Sequence, residues 1–130
     1  SPDVPVFREE SGALLETPYT CAILTSPAVH AAGVRKYMPE RLGEIGPIMF
    51  ERILKVLAVA ERHGHRSLVL GAWGCGAFGN DGSQIAGLFR QALEVNFHGA
   101  FDQVLFAITD WSEDEQYIGP FRRAFGGGIG

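Results

Sequence analysis

Residues 68–81, Leu-Val-Leu-Gly-Ala-Trp-Gly-Cys-Gly-Ala-Phe-Gly-Asn-Asp, constrain the fold more than any other stretch of the chain. A short apolar strand runs into a loop with glycine at Gly71, Gly74, Gly76 and Gly79. Asn80 or Asp81 then offers a cap for a helix whose apolar residues recur at Ile85, Leu88, Phe89 and Ala92. Strand, glycine loop and helix start, in that order, form a common anion site: unpaired first-turn N–H groups and the positive end of the helix dipole favour phosphate. A diphosphate-binding loop is therefore expected, with a plain tight turn as the alternative.

The rest of the chain fits a helix-and-strand framework for that loop. Its 130 residues suit a single domain, 1–130, and the 46% hydrophobic and 20% charged composition is that of a globular protein. The net charge is −4, with nine arginines and two lysines, which argues against a duplex nucleic acid partner. A phosphorylated ligand must then be held by local backbone dipoles. No apolar run has the length of a membrane span, and no signal peptide opens the sequence, so no membrane partner is expected. Cys21 and Cys75 form neither a disulfide framework nor a metal-spaced cluster, and a cytoplasmic location is expected.

In chain order, Val4 to Arg8 reads as an extended edge segment, with prolines at Pro2 and Pro5, followed by a polar turn over Glu9–Gly12. Thr20 to Thr25 reads as a strand stopped by Ser26-Pro27, and Val29 to Gly46 as a connection with some helix. Pro47 fits the first turn of a long helix ending at Gly64, with Met49, Ile53, Val56, Leu57 and Ala60 on one face. Ser67 to Leu70 is a strand, and Ser83 to about Glu94 a helix. Gln103 to Thr109 reads as a strand apolar on both faces. Ser112 with Glu115 forms a capping-box pattern for a last helix that Gly119-Pro120 should break or restart. Gly126 to Gly130 reads as a flexible end. The alternation implies α/β layers around a mostly parallel sheet.

Several chemistries can be weighed on residues alone. Gly74-Cys-Gly-Ala-Phe-Gly79 matches the G-x-G-x-x-G spacing, but a dinucleotide fold needs an acidic residue about 20 positions on, ending the next strand. Glu94 has the spacing but sits at a helix end, and Asp110 ends a strand but lies too far along. Cys75 lacks the flanking glycines of a nucleophile elbow, where Trp73 and Ala77 stand instead. His63 and His65 flank a glycine and find no third ligand, so no metal site is expected, and no cofactor is implied. Glu9 and Glu10 are adjacent on a polar turn and read as solvated. Asp110-Trp111 follows the second core strand, at the carboxyl edge where open α/β sheets bind ligands, and Trp111 could stack on a base or simply cover the sheet end. Phe78 has few core options within its loop and could pack on a ligand's sugar.

The segment Gly71 to Asp81, preceded by His63 to Leu70, resembles the bacterial-type poly(ADP-ribose) glycohydrolases, which are macrodomain proteins. Ser1 to Arg8, Leu24 to Val29 and Tyr117 to Phe125 are similar in the same order, so the resemblance covers nearly the whole chain. It implies a three-layer α/β/α macrodomain. It also implies ADP-ribose or poly(ADP-ribose) as ligand, its diphosphate wrapped by Gly74, Cys75, Gly76, Ala77, Gly79 and Asn80, with Phe78 beside the distal ribose. Asp110 and Trp111 would then lie near the adenine.

The family's catalytic signature, a Gly-Gly-Gly segment followed by Gln-Glu-Glu, belongs before Ser1, as do its first strands and an adenine-contacting acidic residue. Gly126-Gly-Gly128 is no substitute, because only Ile129 and Gly130 follow it. Cleaving a ribose–ribose bond needs a placed carboxylic acid to protonate the leaving oxygen. Catalysis is therefore expected to depend on a glutamate outside these residues, and a second polypeptide carrying the other half is one expected partner. A minimal ADP-ribose binder is the other expectation, and an unrelated nucleotide-binding α/β enzyme the third.

Overall fold

The computed structural model describes residues 1–126. The expectation for the glycine-rich end falls on residues 127–130, outside the described residues. The chain opens with an antiparallel hairpin of β1 (Val4–Arg8) and β2 (Leu14–Cys21). The strand expected over Thr20–Thr25 thus lies earlier. Tyr19, Thr20 and Cys21 face Val6, Pro5 and Val4, and a register shift falls between Val6 and Arg8. Both Pro5 and Pro18 are accommodated because the hairpin has only two strands, so each strand has an edge that needs no N–H. The turn is closed by Gly12, which sits at φ +89° and donates to Glu9 O at 2.9 Å.

After a segment without regular structure come α1 (Ala31–Tyr37), a 3₁₀ turn over Pro39–Glu44, and α2 (Ile45–Arg62). Pro47 stands in the first turn of α2 as expected, where a missing N–H costs nothing. Met49, Ile53 and Leu57 are fully buried along one side, as the four-residue spacing requires. The helix stops at Gly64, at φ +77°.

β3 (Ser67–Leu70) pairs in parallel with β4 (Gln103–Phe106), in register from Ser67↔Gln103 to Leu70↔Phe106. Between them lie α3 (Gly82–Gln91) and a wider π-type turn over Ala92–Asn96, so the single helix expected to Glu94 changes pitch at Ala92. Phe89 sits at the centre of the core, against Trp73 (centroids 6.4 Å apart) and edge-on to Phe106 (5.4 Å). Phe106 in turn meets Phe121 and Phe125 at 5.0 and 4.8 Å.

β4 is shorter than the expected Gln103–Thr109 strand and is not buried on both faces. Leu68, Leu70 and Phe106 pack on the helical core, whereas Val69 on the opposite face is 72% exposed and Leu105 37%. The β4 segment reads as apolar on both faces, but among the described residues only one face of this sheet is well covered. The last helix, α4 (Ile118–Ala124), also differs from expectation. Glu115 is not its capping partner: it lies at φ +53° and pairs with Arg122. Pro120 is the third residue of α4, where its N–H would have no helical acceptor in any case, so it does not break the helix.

Candidate functional site

β3 delivers the chain into the glycine loop, and β4 ends beside it. Ala107 N–H donates to Leu70 O at 2.8 Å, and a Cβ on Gly71 would stand 3.5 Å from Ala107 O. The two loops therefore leave the same carboxyl edge of the parallel pair. At its far end the glycine loop enters α3. Asp81, rather than Asn80, is the cap: its carboxylate accepts from Gln84 N–H at 2.7 Å. The helix start thus already holds a carboxylate, so the anion pole must be sought within the loop.

The loop is tightly defined. Gly79 N–H donates to Gly76 O at 2.9 Å, and Asn80 N–H to Gly74 O at 3.0 Å. Gly74 and Gly79 require glycine for two reasons each. Both have positive φ (+74° and +68°), and a Cβ at either would come within 2.6 Å of a neighbour: Ala28 Cβ and Asn80 Nδ2 at Gly74, an Arg35 guanidinium nitrogen at Gly79. Gly76 has neither restriction, since a Cβ there meets nothing within 4 Å. Among the described residues, the N–H groups of Gly76, Ala77 and Phe78 find no protein acceptor. Three successive amides are thereby left available on a loop whose glycine faces open space, an arrangement suited to an anion.

Part of the stretch Val29 to Gly46, whose sequence pattern reads as a connection with some helix, forms the other wall. Ala32 N–H donates to Phe78 O (2.9 Å), Arg35 to Gly79 O (2.7 Å) and Asn80 Nδ2 to Val29 O (2.7 Å). His30 packs its ring on Phe78, centroids 4.9 Å apart. Arg35 brings a cation to an otherwise neutral loop. These contacts span 44 to 51 residues, so no local pattern announces them. Asn80 is 6% exposed, and its Oδ1 has no hydrogen-bond partner. Phe78 is 39% exposed, consistent with a side chain left outside the core.

Cys75 is buried, and that burial, with the nearby Asp81 charge second, pushes its thiol up to about 11. It is a protonated thiol at neutral pH, not a nucleophile. Asp110 is occupied within its own loop. One oxygen accepts from Ser112 N–H (2.9 Å) and Oγ–H (2.5 Å), the other from Tyr117 and Ile118 N–H (2.8 and 2.9 Å). The Ser112 hydroxyl first, then these backbone amides, hold its carboxyl well below the usual range against the opposing effect of desolvation. Trp111 is 92% exposed. The segment that follows returns to the start of α3, where a Cβ on Gly82 would lie 3.1 Å from Pro120.

The parallel strand pair, the helical layer and the glycine loop at the carboxyl edge define an α/β protein of the macrodomain-like class. The particular relatives are bacterial poly(ADP-ribose) glycohydrolases. The enzyme from Deinococcus radiodurans solved with ADP-ribose is 42% identical, with a TM-score of 0.93, over 99% of this chain and 51% of its own. The apo form from that organism has a TM-score of 0.90 at 42% identity, over 98% of this chain and 52% of its own. The Thermomonospora curvata enzyme is 46% identical, with a TM-score of 0.88, over 96% of this chain and 46% of its own. In sequence and fold the chain is of the bacterial poly(ADP-ribose) glycohydrolase type, as the motif implied, and it spans about half the length of these relatives. No family model and no curated protein sequence matches it.

Proposed function

We propose that this chain binds ADP-ribose, with the diphosphate on the Gly76, Ala77 and Phe78 amides, and serves as the ligand-holding half of a poly(ADP-ribose) glycohydrolase. The observation that carries this reading is the row of three unpaired amides on a loop fixed at both ends. It gains support from the ADP-ribose complex formed by a relative with 42% identity. Gly74, Cys75, Gly79 and Asn80 shape the loop, Phe78 offers its exposed ring to the distal ribose, and Trp111 offers an indole for the adenine. Asp110 contributes by fixing the turn that carries Trp111, because its oxygens are taken.

Hydrolysis also needs a carboxylic acid at the leaving oxygen. Asp81, which follows the glycine loop, accepts from Gln84 N–H, Asp110, which follows β4, accepts from Ser112, Tyr117 and Ile118, and Glu115 pairs with Arg122. The acid would therefore come from residues beyond this chain, in the same polypeptide or a second one. Three features favour such a complement: the open sheet face at Val69 and Leu105, a groove of about 290 Å³ beside Leu24, Val56, Val69 and Trp73, and the doubled length of the relatives. Calorimetric titration with ADP-ribose and with NAD tests the binding. Saturable binding of ADP-ribose in preference to NAD is expected, and preference for NAD sinks the reading. A non-catalytic ADP-ribose-binding module is the second reading, favoured by the engagement of Asp81 and Asp110. It is distinguished by whether the completed protein releases ADP-ribose from the polymer.

A further inference from the structure

We propose that His30 is a ligand-contacting residue whose Nε2–H donates to an oxygen of the diphosphate moiety, an inference that rests on the ADP-ribose reading above. The imidazole is held in place by three independent features. Its Nδ1 accepts from Gly33 N–H at 2.8 Å, which requires that nitrogen to be unprotonated and leaves the ring proton of the neutral imidazole on Nε2. Its face rests on Phe78, the last residue of the three-amide row, at a centroid distance of 4.9 Å. The backbone that carries it is tied to the same loop through Val29, Ala32 and Arg35. Nε2 has no protein partner among the described residues, and His30 is exposed.

Gly33 supplies the most specific sign of purpose. Its φ is ordinary, so no backbone reason calls for glycine, and within α1 an alanine would be the better helix former. Yet a Cβ there would stand 2.6 Å from His30 Nδ1 and 3.3 Å from Cε1. Glycine at this position makes room for this orientation of this ring. A helix cap alone does not need an imidazole, since a serine satisfies the same amide.

Calorimetric titration of ADP-ribose into the wild type, His30→Ser, Gly33→Ala and the double variant tests the proposal. His30→Ser keeps a cap acceptor and removes the Nε2 donor, while Gly33→Ala keeps the histidine and displaces its ring. Each single variant should retain the wild-type melting transition and bind roughly three- to ten-fold more weakly, the loss of one hydrogen bond. The double variant should bind no more weakly than His30→Ser, because both changes remove one contact. Wild-type affinity in the folded single variants overturns the proposal, leaving His30 as a cap only. Absence of binding by the wild type overturns the ADP-ribose reading first, and this proposal with it.

Discussion

Asn80 donates to Gly74 O twice, from its backbone N–H at 3.0 Å and from its side-chain Nδ2 at 2.9 Å. One residue thereby joins the end of the glycine loop to its beginning, and the same Nδ2 reaches Val29 O on the opposite wall. Removing it should loosen the loop. Asn80→Ala takes the side-chain donor from Val29 O and leaves Gly74 O with the backbone N–H alone, at a cost of about 1–3 kcal/mol, readable as a lower urea midpoint at unchanged slope. Gly74→Ala should destabilise through a different cause, since φ +74° and a 2.6 Å approach to Ala28 Cβ both oppose a side chain. A stability like the wild type's in both variants would show that the loop is not fixed by this pair.

Gly76 separates binding from folding. A Cβ there meets nothing within 4 Å, and its φ is not positive, so Gly76→Val should unfold at nearly the wild-type denaturant concentration. The branched side chain would nevertheless stand at the head of the free amides and exclude a diphosphate from close approach. ADP-ribose binding should become undetectable by calorimetry while the unfolding curve holds. Retained affinity would mean that the loop is only a turn.

What the sequence disclosed and what it hid divide along the range of the interactions. Met49, Ile53 and Leu57 announce α2 because a helix is periodic within a few residues, and Gly74 and Gly79 announce their loop because positive φ is a local demand. His30 and Arg35 give no such sign, since their role comes from Phe78 and Gly79, more than 40 residues on. The start of α4 is hidden for the same reason at shorter range. Ser112 and Glu115 mimic a capping box, but the donors at Tyr117 and Ile118 are satisfied by Asp110, seven and eight residues earlier. Val69 and Leu105 read as core on hydrophobicity alone, and they are exposed because that face of the sheet is left largely open among the described residues.

Cys75 should resist thiol reagents in the folded protein at pH 8 and react once the chain is unfolded. Burial raises its pKa from the ordinary 9.0 to about 11, so thiolate and access are both lacking. The sign for stability follows from proton binding. Between about 9 and 11 the unfolded chain has lost this proton and the folded chain has kept it, so stability is full below that window and falls as pH rises through it. Cys75→Ala should flatten the alkaline limb of a stability–pH curve. Rapid labelling of both Cys21 and Cys75 in the native state would contradict this account.

Asp110 governs the opposite end of the pH scale. Its carboxylate accepts from Ser112, Tyr117 and Ile118, and the Ser112 hydroxyl is the largest cause of a pKa held below the ordinary 3.8. The folded state therefore favours the ionised form. The resulting stability is present above about 3.8 and is lost as pH falls below it, because the unfolded chain takes up this proton first. Asp110→Asn should lower the melting temperature at pH 7 and reduce its dependence on pH below 4. The carboxamide retains one acceptor oxygen but cannot serve the Ser112 and Tyr117–Ile118 sides together. The same substitution should weaken ADP-ribose binding less than Gly76→Val does, because Asp110 shapes the loop that carries Trp111 and does not face the diphosphate. Loss of binding equal to that of Gly76→Val, at unchanged melting temperature, would instead place the Asp110 carboxylate in direct contact with the ligand.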